Sequence, residues 1–441
     1  MIDMNVLRDL TNAFGPSGFE EDVVRAVRKH CTGMSLTNDA MNNVYARIGG
    51  NAEGRKPVLM LDAHTDECGF MVQGIMENGL LSLIMLGGMD LPSIPAHTLL
   101  VRTRAGKLVK GIITSRPVHF MTDKEKSAPL DIREMFLDVG ACSKKEAMES
   151  FGINIGDPAA PEVAFEYDEE HGLCFGKAFD NRMGCACIIH TLRALQAVKN
   201  DLAVEVVGAF ASQEEVGMRG ATVTSAQVQP DLAIVFEGSP ADDFYYSPEK
   251  SQGGMHKGVQ IRCMDKSYIT NPAFLEYAHE LGDTMGITYQ DTVRRGGSTN
   301  AGKISLAGKA VPTLVLGIPS RYVHSHYNFC AIEDVENTVR MAVEVIKGLN
   351  DERIRHLMHQ DILRVSKNRI LEKSGKHENR TALVWPVWLH RVVLFCADLP
   401  IFCVWFSSTA FPPAGGNFST RFPYWYFFYL WWEKPSYVII L

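Results

Sequence analysis

Val58-Leu59-Met60-Leu61 is an apolar run that leads within five residues into His64 and Asp66. Three more runs behave alike. Ala203 to Phe210 leads into Glu214-Glu215, Leu232-Ala233-Ile234-Val235-Phe236 ends on Glu237, and Thr313-Leu314-Val315-Leu316 runs toward His324. Runs of four to eight apolar residues between helical stretches read as buried strands of a parallel sheet. Open α/β sheets bind ligands at the carboxyl ends of their strands. Four strand ends carrying His, Asp, Glu, Glu and His therefore point to a binuclear metal site.

The surrounding chain fits that class. At 441 residues it can hold two or three domains around a large core. A formal charge of −7, with 22% charged residues, gives no basic footprint for nucleic acid. The N-terminus, Met1-Ile2-Asp3-Met4-Asn5, lacks the basic and apolar regions of a signal peptide. Ten scattered cysteines without a CxxC pair suggest free thiols in a reducing cytoplasm. Cys68 lies near His64 and could be suspected as a soft ligand, but a small buried hydrophobe is the preferred reading.

Texture divides the chain. Residues 1–30 read as a helical entry punctuated by a turn at Gly15-Pro16-Ser17-Gly18. From 71 to 165 short apolar runs separated by Gly and Pro predict a small β-barrel inserted into the α/β domain. Helices at about 181–198, 272–285 and 332–350 then alternate with strands. All six tryptophans fall in the last 57 residues, with only five charges among them. The stretch 392–411 raises a membrane span, but Asp398 and Pro400 interrupt it. A non-native C-terminus from about 367 is the preferred reading, with function sought before it.

Each candidate residue has a bland alternative. His64-Thr65-Asp66 alone could be a surface loop, although a ligating imidazole needs a carboxylate to orient its ring. Asp180 could simply cap the helix that follows. Glu214-Glu215 is harder to dismiss, because adjacent carboxylates repel unless a cation or proton relieves them. In Arg321-Tyr322-Val323-His324-Ser325-His326 either histidine could serve.

His64-Thr65-Asp66-Glu67, Phe179-Asp180-Asn181-Arg182, Gln213-Glu214-Glu215-Val216-Gly217 and Arg321-Tyr322-Val323-His324-Ser325 resemble, in order, the TET-type dinuclear metalloaminopeptidases of clan MH. The resemblance covers about residues 4–352. It implies a mixed-sheet α/β sandwich peptidase domain (1–70 and 166–352) with an inserted β-barrel dimerisation domain (71–165), and an extension at 353–441. It implies two divalent metal ions, zinc before cobalt or manganese. His64, Asp180 and Glu237 would hold one; Asp180, Glu215 and His324 the other, with Asp180 bridging. Asp66 would orient His64, and Glu214 would be the general base. The motif selects His324 over His326. Glu237 stands where the family often has Asp, and Asn300 where a GG-T-D-A segment has Asp.

The implied activity is removal of N-terminal residues from peptides by a cytoplasmic homo-oligomer, dimer to dodecamer, without nucleic-acid or membrane partners. A carboxypeptidase or N-acyl amino acid hydrolase is the nearest rival, and a catalytically silent assembly protein the next. A glycosidase reading lacks support, because its paired carboxylates would not need these histidines.

Overall fold

The computed structural model describes residues 2–48, 56–114 and 118–359, together with strands at 427–430 and 437–440. The chain forms two compact units, Met1–Ser366 and Lys367–Leu441. In the second, Phe427–Leu430 pairs antiparallel with Tyr437–Ile440. The tail reading otherwise falls outside the described residues, as does the apolar stretch 392–411. Among the described residues no helix is long and apolar enough to cross a membrane.

The strands of the first unit are, in chain order, β1 (Ser35–Asn38), β2 (Val44–Ile48) and β3 (Val58–His64), then six barrel strands. These are β4 (Gly69–Ile75), β5 (Leu81–Leu86), β6 (Thr98–Arg102), β7 (Leu108–Thr114), β8 (Phe136–Asp138) and β9 (Pro158–Pro161). Then come β10 (Glu166–Asp168), β11 (Leu173–Gly176), β12 (Glu205–Ala211), β13 (Leu232–Pro240), β14 (Val259–Met264), β15 (Tyr289–Val293), β16 (Thr313–Arg321) and β17 (Asn328–Ala331).

The large sheet runs β1-β2-β12-β3-β13-β16-β17-β11-β10, with β14 and β15 attached at β16. Its centre, β12-β3-β13-β16, is parallel throughout. Its flanks are not: β2 meets β12 antiparallel, and β14 and β17 meet β16 antiparallel. The four apolar runs are thus the parallel heart of a mixed sheet. They read as continuous apolar runs because both faces are covered. Leu59, Leu61, Val206, Phe210, Ile234, Phe236, Leu314 and Leu316 enter one core, while Met60, Val207, Ala209, Val235 and Val315 enter another on the opposite face. Alternation at period two places them so.

The helix Phe179–Leu195 lies in the larger core and buries Met183, Cys185, Ile188, Ile189, Leu192 and Leu195. A Cβ on Gly208 of β12 would stand 2.7 Å from Ile188 Cγ2, so the helix reaches the sheet only over glycine. Truncating Ile188 to alanine would cost about 2–5 kcal/mol. The predicted helical entry is two helices, Met4–Asn12 and Glu21–His30, split by the segment around Gly15 and Pro16. Their break carries that segment to the sheet's active edge.

β4 to β9 close into a barrel in the order β4-β5-β8-β7-β6-β9. Its own core holds Phe70, Leu81, Leu99, Val101, Ile113 and Leu137. The fold is therefore a mixed α/β sandwich with an inserted closed antiparallel barrel.

Candidate active site

Parallel pairing brings the carboxyl ends of β3, β12, β13 and β16 to one level, since Ala211 registers with His64 and Glu237 with Gly317. Beyond those ends the chain turns sharply. Gln213 has φ 52° before Glu214-Glu215, and Tyr322 and His324 have φ 63° and 62°. Such left-handed residues are uncommon outside glycine and cluster where side chains must be aimed.

His64 is buried, with Nδ1 3.1 Å from the Asp66 carbonyl and 3.4 Å from Asp66 Oδ1. That leaves Nε2 to face Asp180 Oδ1 at 2.9 Å and Glu237 Oε1 at 3.5 Å. Asp180 Oδ2 lies 3.4 Å from His324 Nε2, which in turn is 3.8 Å from Glu215 Oε2. One Asp180 oxygen thus serves each histidine. Asp180 has extended backbone, and the regular helix begins only after Asn181. A Cβ at Gly238 of β13 would stand 2.5 Å from Asp180 Cα, so glycine there lets this segment reach the sheet.

Asp66 does more than face His64. Its two oxygens accept the amide N–H groups of Glu214 (2.8 Å) and Glu215 (3.1 Å), and Oδ2 also accepts Ser17 Oγ–H at 2.6 Å. Glu20 supports the same turn by accepting the Gln213 amide at 3.2 Å. Burial, then the charge of Asp66, pushes Glu20 up to about 7. Ser17 and Glu20 escaped the sequence reading, which took Gly15-Pro16-Ser17-Gly18 for punctuation. Nothing in that stretch signals that it folds onto a strand end 49 residues away.

Glu67 binds Lys177 Nζ at 2.6 and 2.7 Å and Arg182 at 3.2 Å, all buried, and Arg182 also donates to the carbonyls of Leu10, Ala13 and Gly15. This network ties the N-terminal segment to the site. Asn300 donates to Asp62 Oδ1 at 2.7 Å beneath His64. An amide there avoids a buried pair of carboxylates, which gives the Asn in this loop a physical role. His326 sits elsewhere, fully buried, with neither ring nitrogen hydrogen-bonded, its ring 4.3 Å from that of His97.

The site is rich in negative charge and poor in counterions. Burial and the Asp180 charge push Glu237 up to about 8, and burial, against the pull of His324, leaves Glu215 at about 7. Burial likewise holds Glu214 well above the carboxylate range. Asp180 goes the other way, because hydrogen bonds from His324 and His64 outweigh its burial. Glu237 Oε2 is buried without a partner. Two sets of donor atoms each lie within 4.8 Å of one another: His64, Asp180 and Glu237, and Cys68, Glu215 and His324. Nitrogen and carboxylate donors around uncompensated negative charge fit divalent cations.

The family model for M42 glutamyl aminopeptidases matches residues 42–341. The chain belongs to the M42 aminopeptidase family. It is therefore a peptidase, of a family of metallopeptidases. A glutamyl aminopeptidase of Lactococcus lactis is 27% identical over 350 residues, 79% of this chain and 97% of that one. The crystal structure of a TET aminopeptidase from a marine sediment archaeon, Thaumarchaeota archaeon SCGC AB-539-E09, is similar at TM-score 0.77. It is 33% identical, covering 80% of this chain and 99% of that one. The TET1 peptidase of Pyrococcus horikoshii, which can assemble into a tetrahedron or a large octahedral shell, is 26% identical at TM-score 0.69. Here 78% of this chain covers 99% of that one.

A cavity of about 750 Å³ opens beside Asp180, Glu214, Glu237 and His324, and its lining includes Arg262, Arg294 and Arg295. Arg262 is matched by Asp265 at 3.1 Å. Arg294 is not. It donates to the Pro240 carbonyl and to Gln260 Oε1, and has no carboxylate within salt-bridge distance among the described residues. Burial and the charge of Arg262 lower it to about 10. Arg262 lies on β14, and Arg294 and Arg295 lie in the loop after β15; no motif singled them out.

Proposed function

We propose that this M42 peptidase is an aminopeptidase whose centre holds two divalent ions, one by His64, Asp180 and Glu237 and one by Asp180, Glu215 and His324. The observation that carries this reading is the division of Asp180, with one oxygen toward each histidine at 2.9 and 3.4 Å. The ions, zinc before cobalt or manganese, supply Lewis acidity toward the scissile carbonyl and the attacking water. Glu214, on the cavity wall, takes the proton of that water and returns it to the leaving amine. Asp66 holds the His64 ring and, through two amides, the turn that aims both glutamates.

The unmatched Arg294 favours a substrate that brings its own negative charge. A glutamyl or aspartyl side chain at the N-terminal residue would supply it, whereas a lysyl side chain would be repelled. The family's glutamyl description agrees. Self-association is assigned to the barrel insert, residues 71–165, where Ile84, Leu108 and Ile112 are exposed on β5 and β7. The shells of the Pyrococcus relative support self-association as such. The free cysteines among the described residues suit a reducing compartment such as the cytoplasm.

Chelation should abolish hydrolysis of glutamyl p-nitroanilide, and zinc, cobalt or manganese should restore it. Glutamyl and aspartyl anilides should outrun leucyl, and leucyl lysyl. Turnover of N-acyl amino acids but not of aminoacyl anilides would transfer the site to the rival hydrolase class.

A further inference from the structure

We propose that Cys68 is a protein ligand of the ion held by Glu215 and His324, a thiolate that makes this one of the two positions selective for soft cations. The inference rests on the two-ion reading above and adds a donor to it. The Cys68 sulfur, a Glu215 oxygen and a His324 nitrogen all lie within 4.8 Å of one another. Cys68, Asp180, Glu215 and His324 share the wall of a cavity of about 10 Å³, close to the room of one water-sized sphere.

The surroundings of the sulfur are not those of an ordinary core cysteine. Cys68 closes one end of the barrel core, yet its other side faces a carboxylate and an imidazole. Its hydrogen bond goes to the Gly88 carbonyl at 3.2 Å. Gly87, at φ 87°, keeps the space between sulfur and carboxylate open. A Cβ there would stand 2.8 Å from the sulfur and 3.3 Å from Glu215 Oε2. Thus the turn after β5, part of the barrel, completes the pocket around the ion.

When a cation enters, the S–H bond breaks, a metal–sulfur bond forms, and the proton leaves to solvent; no electrons change hands. The resulting sulfur, nitrogen and oxygen set suits zinc or cobalt, whereas manganese prefers oxygen. The position should therefore keep zinc or cobalt against an excess of manganese, while the His64 position exchanges.

The full-length protein loaded with cobalt, as wild type, Cys68→Val and Cys68→Ser, tests this. Wild type should show a near-ultraviolet sulfur-to-cobalt charge-transfer band that both variants lack. X-ray absorption of the zinc-loaded wild type should find sulfur at about 2.3 Å. Zinc should be released from the variants at one site on the order of 10–100-fold more readily, or beyond that range. Because the absorption measurement needs no variant, a folding failure leaves the proposal testable. Cobalt bound without the band, or a band unchanged in Cys68→Val, overturns the cysteine ligand alone. Failure of the wild type to bind cobalt or zinc at all overturns the two-ion reading beneath it.

Discussion

The proposed function gives the neighbours Glu214 and Glu215 separable duties, and single amide substitutions should separate them. The Asp66 carboxylate pins both backbone amides, at 2.8 and 3.1 Å, so neither substitution frees the turn. Glu215 reaches to 3.8 Å from His324 Nε2, among the donor atoms. Glu215→Gln replaces one anionic oxygen of that set with an amide nitrogen that cannot ligate. It should lower metal content and activity together. Glu214 lies on the wall of the 750 Å³ cavity, and its side chain accepts no hydrogen bond among the described residues. Glu214→Gln therefore leaves the donor sets whole and removes only the proton acceptor. Loss of a general base costs about 10²–10⁴ in turnover, which at 1.36 kcal/mol per decade is roughly 2.7–5.4 kcal/mol of barrier. Metal analysis should find the wild-type ion content in Glu214→Gln, with kcat reduced by that factor and KM little changed. Equal metal loss in the two variants, or near-normal turnover in Glu214→Gln, refutes the assignment.

Four further outcomes are expected. Arg294→Gln should reduce kcat/KM for glutamyl anilide at least tenfold relative to leucyl anilide, since it deletes a cavity cation without a carboxylate partner among the described residues; steady-state kinetics on the pair decide. Asn300→Asp should set two buried carboxylates 2.7 Å apart against Asp62 and lower stability, by about 1.5–3 kcal/mol, read by thermal denaturation. His190 accepts the Asp3 amide, and burial followed by the charge of Arg193 lowers it to about 4. The unfolded chain then binds the extra proton between about 4 and 6.5, so stability falls on acidification through that window by up to about 3 kcal/mol. His190→Gln should flatten that slope in urea titrations at several pH values. A chain ending at Ser366 should fold, hydrolyse anilides and be more soluble than the full chain, which carries eighteen aromatic residues in its last 57; loss of activity on truncation would make the tail part of the enzyme.

The central strands were legible because burial on both faces forces unbroken apolar runs, and their order along the chain needs no long-range knowledge. The antiparallel flanks were not. β14 and β15 hold Gln260, Arg262, Gln290 and Asp291 among their residues, so neither runs apolar enough to announce a strand. They owe their state to pairing with β16 and with each other. The entry helices and the turn between them were legible, whereas the role of that turn was not: it carries Ser17 and Glu20 to the site.

The residues at the strand ends could be found because each follows a recognisable run, and the order of four motifs restricts the choice further. What spacing cannot supply is the identity of neighbours brought by topology. Cys68 follows His64 by four residues, and in sequence an isolated cysteine is best taken for a small hydrophobe. Only the turn at Gly87 and Gly88, folded back from the barrel, encloses the sulfur with Glu215 and His324. The same turn anchors the His324 loop, since the Asp90 amide donates to the His324 carbonyl at 3.2 Å. The insert is thus continuous with the catalytic walls rather than a separate attachment. If barrels pack together as proposed, a change in that packing has a short route to His324 through this turn.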